Sequence, residues 1–269
     1  MKRALAIAGL LTCCAIAFAA YPFIEMSGGK MLVTDGLIQF ASGVAPPIVS
    51  DMIAHWKLND DAANTTVADS FGGWDAAAQA NTSGLTTNGK LGKAIMFNGS
   101  SDFIRTVSNV GHTGAVSFAF WINPGFTWSA DTTQRPLVNW CDAASTTPRI
   151  YTRFEGTKRL YADVLAYSPG SDLYWNGAIV VSNATWGGVD YNPTAQYAAG
   201  DWIHVVLATS GRQGGSQIIV EPITLGAGAP EHAGKYLVGA LDDVRVYGKK
   251  LTQADVDAIY NGGTGTEAE

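Results

Sequence analysis

What this chain lacks narrows its reading most. It has three cysteines in 269 residues, and two of them, Cys13 and Cys14, fall in the first twenty. Cys141 is left alone and cannot staple its own chain. It reads as a small buried hydrophobe beside Trp140, with a free thiol or an intermolecular bridge as alternatives. Charge is also scarce, at 15% of residues against about 25% in typical globular domains. The formal net charge is −6, and no Lys/Arg cluster interrupts the pattern, so the basic footprint of a nucleic-acid binder is absent. The four histidines, His55, His112, His204 and His232, show neither an H-x-H nor an H-E-x-x-H spacing, which removes support for a zinc hydrolase. Neither a G-x-S-x-G elbow nor a phosphate-cradling G-x-x-x-x-G-K-[ST] loop occurs.

What is present describes an exported β protein. Thirty-one glycines and ten prolines punctuate short runs rich in Val, Ile, Phe, Tyr and Trp, as strands and turns require. A length of 269 residues suits one large all-β sandwich, whose core needs no disulfide. Residues 1–20 read as a signal peptide: Lys2 and Arg3 precede an apolar run from Ala4 to Phe18, and Ala17-Phe18-Ala19 puts small residues where a signal peptidase looks. The alternative is an uncleaved anchor, the only route by which this chain would contact a membrane. Either way the protein is expected to be secreted or held at the cell surface. Residues 21–50 form an N-terminal extension. Within it MLVTDGLIQF suggests two short strands around an Asp-Gly turn, and GVAPPIVS suggests a linker. That extension is a spacer, or else an extra hairpin or docking segment for self-assembly.

Two stretches organise the remainder. In LDDVRVYGKKLTQADVDAIY (241–260), alternation places Asp242, Val244 and Val246 on one face of a strand and Asp243, Arg245 and Tyr247 on the other. A short helix follows, with Thr252 as N-cap and Asp255 three residues on, stopping at Gly262 and Gly263. In IAHWKLNDDAANTTVADSFGG (53–73), the opening residues alternate as well. The pair resembles the closing and opening signatures of laminin-G-like, concanavalin A-like jelly-roll domains. GKAIMFNGSSDFIRT (92–106), AVSFAFWINP (115–124) and GDWIHVVLAT (200–209) are similar to that family's intervening motifs, in the right order. The resemblance covers roughly residues 51–262 and leaves 263–269 as a polar tail. It implies an all-β fold: a two-sheet antiparallel jelly-roll sandwich with a short C-terminal helix, in which strands 52–58 and 240–247 lie together.

Function follows less directly, since one architecture hosts many activities. Glycan-cleaving relatives of the fold carry two carboxylates at alternate positions of one strand, so that both face the substrate. Here none of Glu25, Glu155, Glu221, Glu231, Glu267 and Glu269 has an acidic residue two to four positions away, except the last two, which pair in the tail. The expectation is therefore a non-catalytic carbohydrate-binding or adhesion module whose partner is a glycan or glycoprotein. The rivals are a structural subunit of a surface layer, filament or virion, and an enzyme with an unrecognised site. Trp56, Trp121 and Trp202 occupy strand positions and read as core. The segment 174–193 combines aromatic rings, which stack on sugars, with amide and carboxylate groups, which fix hydroxyls. Its candidates are Tyr174, Trp175, Asn176, Trp186, Asp190, Tyr191 and Asn192; the alternative is that these rings simply pack beneath long loops. The resemblance also implies one structural Ca²⁺, held by Asp242 with Asp60 and, less directly, Asp102. In the alternative arrangement Asp242 accepts backbone N–H bonds, while Asp243 pairs with Arg245.

Overall fold

A computed structural model describes residues 23–26, 29–34, 37–42, 50–126, 133–140, 149–155, 159–165, 170–184, 189–191, 197, 200–210, 219–228 and 234–267. The chain divides into two compact units, Met1–Ile48 and Val49–Glu269. In the first, β1 (Phe23–Met26), β2 (Gly29–Thr34) and β3 (Leu37–Ser42) form an antiparallel sheet in that order. Thr34 pairs with Leu37, so Asp35-Gly36 is the two-residue connection expected of that dipeptide. The anticipated hairpin is present with one further strand.

The second unit begins with β4 (Met52–Trp56), β5 (Thr66–Val67), β6 (Ala76–Ala78), helix α1 (Thr82–Leu85), β7 (Thr86–Asn88), β8 (Lys93–Asn98) and β9 (Ile104–Thr106). It continues through β10 (Val110–His112), β11 (Val116–Pro124), β12 (Arg135–Trp140), β13 (Arg149–Glu155), β14 (Arg159–Leu165) and β15 (Ser171–Trp175). After β16 (Ala178–Ala184), β17 (Val189–Tyr191), β18 (Ile203–Thr209), β19 (Ile219–Glu221) and β20 (Ile223–Leu225), it closes with β21 (Val238–Tyr247) and helix α2 (Gln253–Tyr260). One sheet runs β16-β15-β18-β11-β21-β8-β7, with β4 also on β21. The other runs β17-β14-β13-β12-β20-β9-β6-β5, and β10 pairs with β19. The two large sheets pack as a sandwich. Phe118, Phe120, Ile122, Val205 and Leu207 of the first share one core with Leu137, Trp140, Phe154, Ile223 and Leu225 of the second, the interdigitation that alternating strands produce.

Strand β21 is the pivot. It pairs with β11 on one side, and with β4 and β8 on the other. Val244 lies opposite Trp56 and Val246 opposite Ala54, so the first and last motifs of the sandwich meet as the resemblance implied. The alternation within β21 is not strict. Arg245 pairs with Ala119 and Asp242 with Trp121, a step of three residues against two, and Asp243 takes a left-handed φ of 52°. This is a β-bulge, which re-aims side chains on its strand. Leu241, Val244 and Val246 enter the core. Asp242, expected on the face of Val244 and Val246, instead lies with Trp121 on the outer face.

The bulge is held by buried charge. Asp243 Oδ1 lies 2.7 Å from His55 Nε2, and Asp243 Oδ2 lies 2.9 Å from Arg245 Nη2. All three side chains are at most 2% exposed, and Arg245 also donates to the Thr266 carbonyl. Over this outer face α2 starts with the anticipated capping box between Thr252 and Asp255. Its Val256 and Ile259, with Leu251 just before the cap, pack against Met52, Ala119, Tyr174, Val206 and Tyr247. Replacing Arg245 by Met is expected to cost about 3–5 kcal/mol, because Asp243 would be left buried without its guanidinium partner. Urea unfolding measures this, and an unchanged midpoint would show that the pair does not hold the bulge.

Candidate functional site

The hairpin between β15 and β16 shows how local sequence positions the expected ligand residues. Trp175 pairs with Ala178, and Asn176 and Gly177 turn the chain with φ of 49° and 79°. Both central residues need positive φ in the tight turn that matches strand twist, which is why Asn-Gly suits it. Asn176 is not free to bind a ligand: its Oδ1 accepts from the His204 N–H at 2.9 Å, and its own N–H donates to the His204 carbonyl at 2.8 Å. Tyr174 and Trp175 are interior residues of β15, each 2% exposed. The Trp175 ring belongs to the sandwich core, with ring centroids 5.6 Å from Tyr191 and 6.0 Å from Tyr197. Tyr174 belongs to the apolar cluster beneath α2. These two rings therefore present no face to a sugar, which corrects the expectation of a stacking platform there. Tyr191 is half-buried. Trp186 and Asn192 lie outside the described residues, as does the side chain of Asp190.

A loop that sequence reasoning passed over has the better geometry. Asp69 organises residues 69–75 with four accepted N–H bonds. Its Oδ1 takes His55 and Phe71 at 2.8 and 2.9 Å, and its Oδ2 takes Gly72 and Trp74 at 2.9 and 2.8 Å. Asp75 returns a bond to the Asp69 N–H at 2.9 Å. Glycine is required at 72, where a Cβ would lie 2.0 Å from the Ile53 carbonyl oxygen. This fixed loop holds Phe71 57% exposed and Trp74 half-buried. Val107, which is 74% exposed, is tied to the same loop by its N–H bond to the Asp75 carbonyl. An exposed aromatic on an immobilised loop is what stacking on a sugar face requires. The signal available in the sequence was the aspartate followed by Ser-Phe-Gly-Gly.

The outer face under α2 is a second concentration of chemistry. Trp121 pairs with His204 on one side and Asp242 on the other, and Tyr260 covers it, with centroids 5.8 Å from Trp121 and 5.6 Å from His204. Lys90 Nζ sits 4.9 Å from the Trp121 ring centroid. Asp242 Oδ2 accepts from the Leu91 N–H at 2.7 Å. Its Oδ1, the Trp121 Nε1 and both His204 ring nitrogens are buried without a hydrogen-bond partner among the described residues. Burial pushes the Asp242 carboxyl up to about 7; the Asp243 charge adds to this, and backbone N–H groups of Leu91, Lys90 and Asp243 oppose it. Burial pushes His204 down to about 3, and the Arg245 charge adds to that shift. Burial thus disfavours the charged form of both groups.

The three aspartates expected to hold calcium are engaged separately. Asp60 Oδ1 accepts from Ala68 N–H at 3.1 Å, Asp102 Oδ2 from Asn98 N–H at 3.0 Å, and Asp242 from Leu91. Among the described residues no three of His, Cys, Asp and Glu stand together as metal ligands. Asp242 rests on a backbone N–H and Asp243 on Arg245, as in the alternative arrangement. His55 and His204 are buried. Of the three core tryptophans anticipated, Trp56 lies in the core, Trp121 lies on the outer face, and Trp202 is half-buried.

No protein-family model matches the chain, and no curated protein is significantly similar to it in sequence. Solved structures are similar in fold. Domain 4 of a GH43 extracellular arabinanase from Geobacillus stearothermophilus, in complex with arabinotriose, has a TM-score of 0.50 and 16% identity. The match covers 80% of this chain and 98% of that one. The botulinum neurotoxin serotype D ligand-binding domain, in complex with N-acetylneuraminic acid, has a TM-score of 0.51 and 12% identity over 79% of this chain. A Trypanosoma rangeli sialidase has a TM-score of 0.50 and 8% identity over 91% of this chain. The chain spans about half of the neurotoxin domain, 51%, and 45% of the sialidase.

The two buried titrations have opposite signs. Below its ordinary pKa of 6.5, unfolded His204 takes up a proton that the folded side chain refuses until about pH 3. Its contribution to stability is therefore lost as pH falls, by about 1.4 kcal/mol per unit. Asp242 favours the fold below 3.8 and loses that contribution as pH rises toward about 7. Between roughly pH 4 and 6.5 the two slopes cancel. Relative to wild type, Asp242→Asn is expected to lose stability progressively below pH 6.5, and His204→Phe to lose it as pH rises from 4 to 7. Urea midpoints across pH check both, and parallel profiles for all three proteins would refute the assignment. EDTA is expected to leave the melting temperature unchanged. A fall reversed by calcium would contradict the reading of Asp60, Asp102 and Asp242 as separately engaged.

Proposed function

We propose that the larger unit is a glycan-binding module of the laminin-G-like, concanavalin A-like kind, carried by an exported protein and without catalytic activity of its own. The observation that carries this reading is the similarity in fold to a complete carbohydrate-complexed domain, matched over 98% of its length. A second domain of similar fold, complexed with a sialic acid, supports the same class of ligand. The loop 69–75 is the binding surface we infer, with Phe71 as the stacking ring and the Asp69 hydrogen bonds holding it in place before ligand arrives. Pre-organisation of this sort spares a binder the cost of ordering a loop. A non-catalytic role is favoured by the carboxylates themselves. Asp69 is saturated by backbone donors, while Asp242 and Asp243 lie buried in the sheet.

A glycan array that includes arabino-oligosaccharides and sialosides tests the reading. Binding is expected, and Phe71→Ala is expected to weaken it about tenfold, which corresponds to about 1.4 kcal/mol. Failure to bind any glycan would overturn the proposal. Binding unaffected by Phe71→Ala would move the site away from this loop. Reducing-end assays on the glycans bound should show no release; release abolished by a single Asp substitution would make the module an enzyme.

A further inference from the structure

We propose that the glycan held by the loop 69–75 is a neutral one, and that Asn109 reads its hydroxyls; this rests on the glycan-binding function proposed for that loop. Charge supplies the first observation. Asp69 and Asp75 stand at the two ends of the loop, and the five residues between them, Ser-Phe-Gly-Gly-Trp, carry no charge. Burial raises the Asp60 carboxyl above its ordinary range; backbone N–H groups of Ala68 and Asp60 oppose this, and the Asp75 charge adds to it. Asp60 therefore lies within electrostatic reach of the loop. Among the described residues none of these three aspartates forms an ion pair. The four N–H bonds to Asp69 satisfy its oxygens but bring no cation. Lys57 follows Trp56, which bridges to Asp69, yet it makes no ion pair there. Arg105 precedes Val107 by two residues on the exposed face of β9, where it stands opposite Ala77 and Thr224. An anionic glycan laid over Phe71 would thus meet both carboxylates of the loop against one guanidinium. Like charges brought together select against a partner.

Neutral polar groups supply the second observation. Residues 107–109 connect β9 to β10 and are all exposed. Both ends of this connection are fixed: buried Thr106 accepts from the Ile223 N–H at 3.0 Å, and Val110 lies in the core. The Val107 N–H donates to the Asp75 carbonyl at 3.0 Å, which ties the connection to the loop. The Ser108 hydroxyl and the Asn109 amide make no hydrogen bond among the described residues. An amide offers donor and acceptor side by side, and vicinal hydroxyls of a sugar satisfy both. Phe71 and Val107 supply apolar surface for the C–H face of the ring. A neutral oligosaccharide matches this combination of groups.

Calorimetry on the full chain, purified after export, tests this with arabino-, gluco- and galacto-oligosaccharides beside sialylated, uronate and sulfated ones. The neutral set is expected to bind, with a Kd that changes less than about twofold from about 50 to about 500 mM NaCl, because no ion pair forms. Asn109→Ala is expected to weaken binding roughly fivefold, as loss of one hydrogen bond does. Asp75→Asn keeps an acceptor for the Asp69 N–H and removes a charge, so the preference for neutral over acidic ligands should narrow at least about threefold. A wild-type circular dichroism spectrum shows that each variant is folded. Stronger binding of the acidic set, weakened by salt, would overturn the proposal and leave glycan binding itself standing. So would neutral binding that both substitutions leave unchanged. A chain that binds neither set overturns both.

Discussion

One extra residue in the central strand sets the arrangement of the outer face. Without the bulge at Asp243, alternation would send Asp242 into the core beside Val244 and Val246, where a carboxylate has no donor. With it, Asp242 lies with Trp121 beneath α2, while Asp243 reaches His55 and Arg245. A left-handed conformation at a residue other than glycine costs free energy, and this one persists because three buried groups over-determine it. A buried ion pair of this kind is weak evidence for net stability, and its best-attested use is to fix a register. Here the register in question joins the first strand of the sandwich to the last.

His55 connects that constraint to the candidate binding loop. Its side chain meets Asp243, while its backbone N–H donates to Asp69 and its carbonyl accepts from Ser70 at 2.9 Å. The loop presenting Phe71 is thus anchored to a strand that the buried network holds in place. Asp243 is matched by Arg245 and His55, and burial disfavours the charged forms of Asp242 and His204. The low charge content of the chain agrees with a sandwich that stabilises itself by packing rather than by surface ion pairs.

Much of the fold was legible because its signals are periodic or local. The capping box of α2 and the Asp-Gly connection between β2 and β3 follow from residues within a few positions of one another, whereas the pairing of 52–56 with 244–247 was implied by the resemblance of the two motifs to a known family. The face of Asp242 was not legible, since a bulge changes the alternation without any sequence mark beyond an Asp-Asp dipeptide. Tyr174 and Trp175 were misplaced for a different reason. The polar residues after them read as loop, whereas Asn176-Gly177 is the two-residue turn of a hairpin whose first strand is buried on both faces. Phe71 was overlooked because its one local signal, an aspartate followed by Ser-Phe-Gly-Gly, does not by itself say that the carboxylate gathers four backbone N–H groups.

The central claim is that a rigid surface loop on this sandwich binds a glycan. Backbone amide chemical shifts of the larger unit, followed while the most tightly bound oligosaccharide is added to the full chain, test it most directly. The account predicts saturable shifts concentrated at residues 69–75 and at Val107, with the amides of β21 unmoved. Shifts confined to residues 174–193, or absent at saturating oligosaccharide, would contradict it.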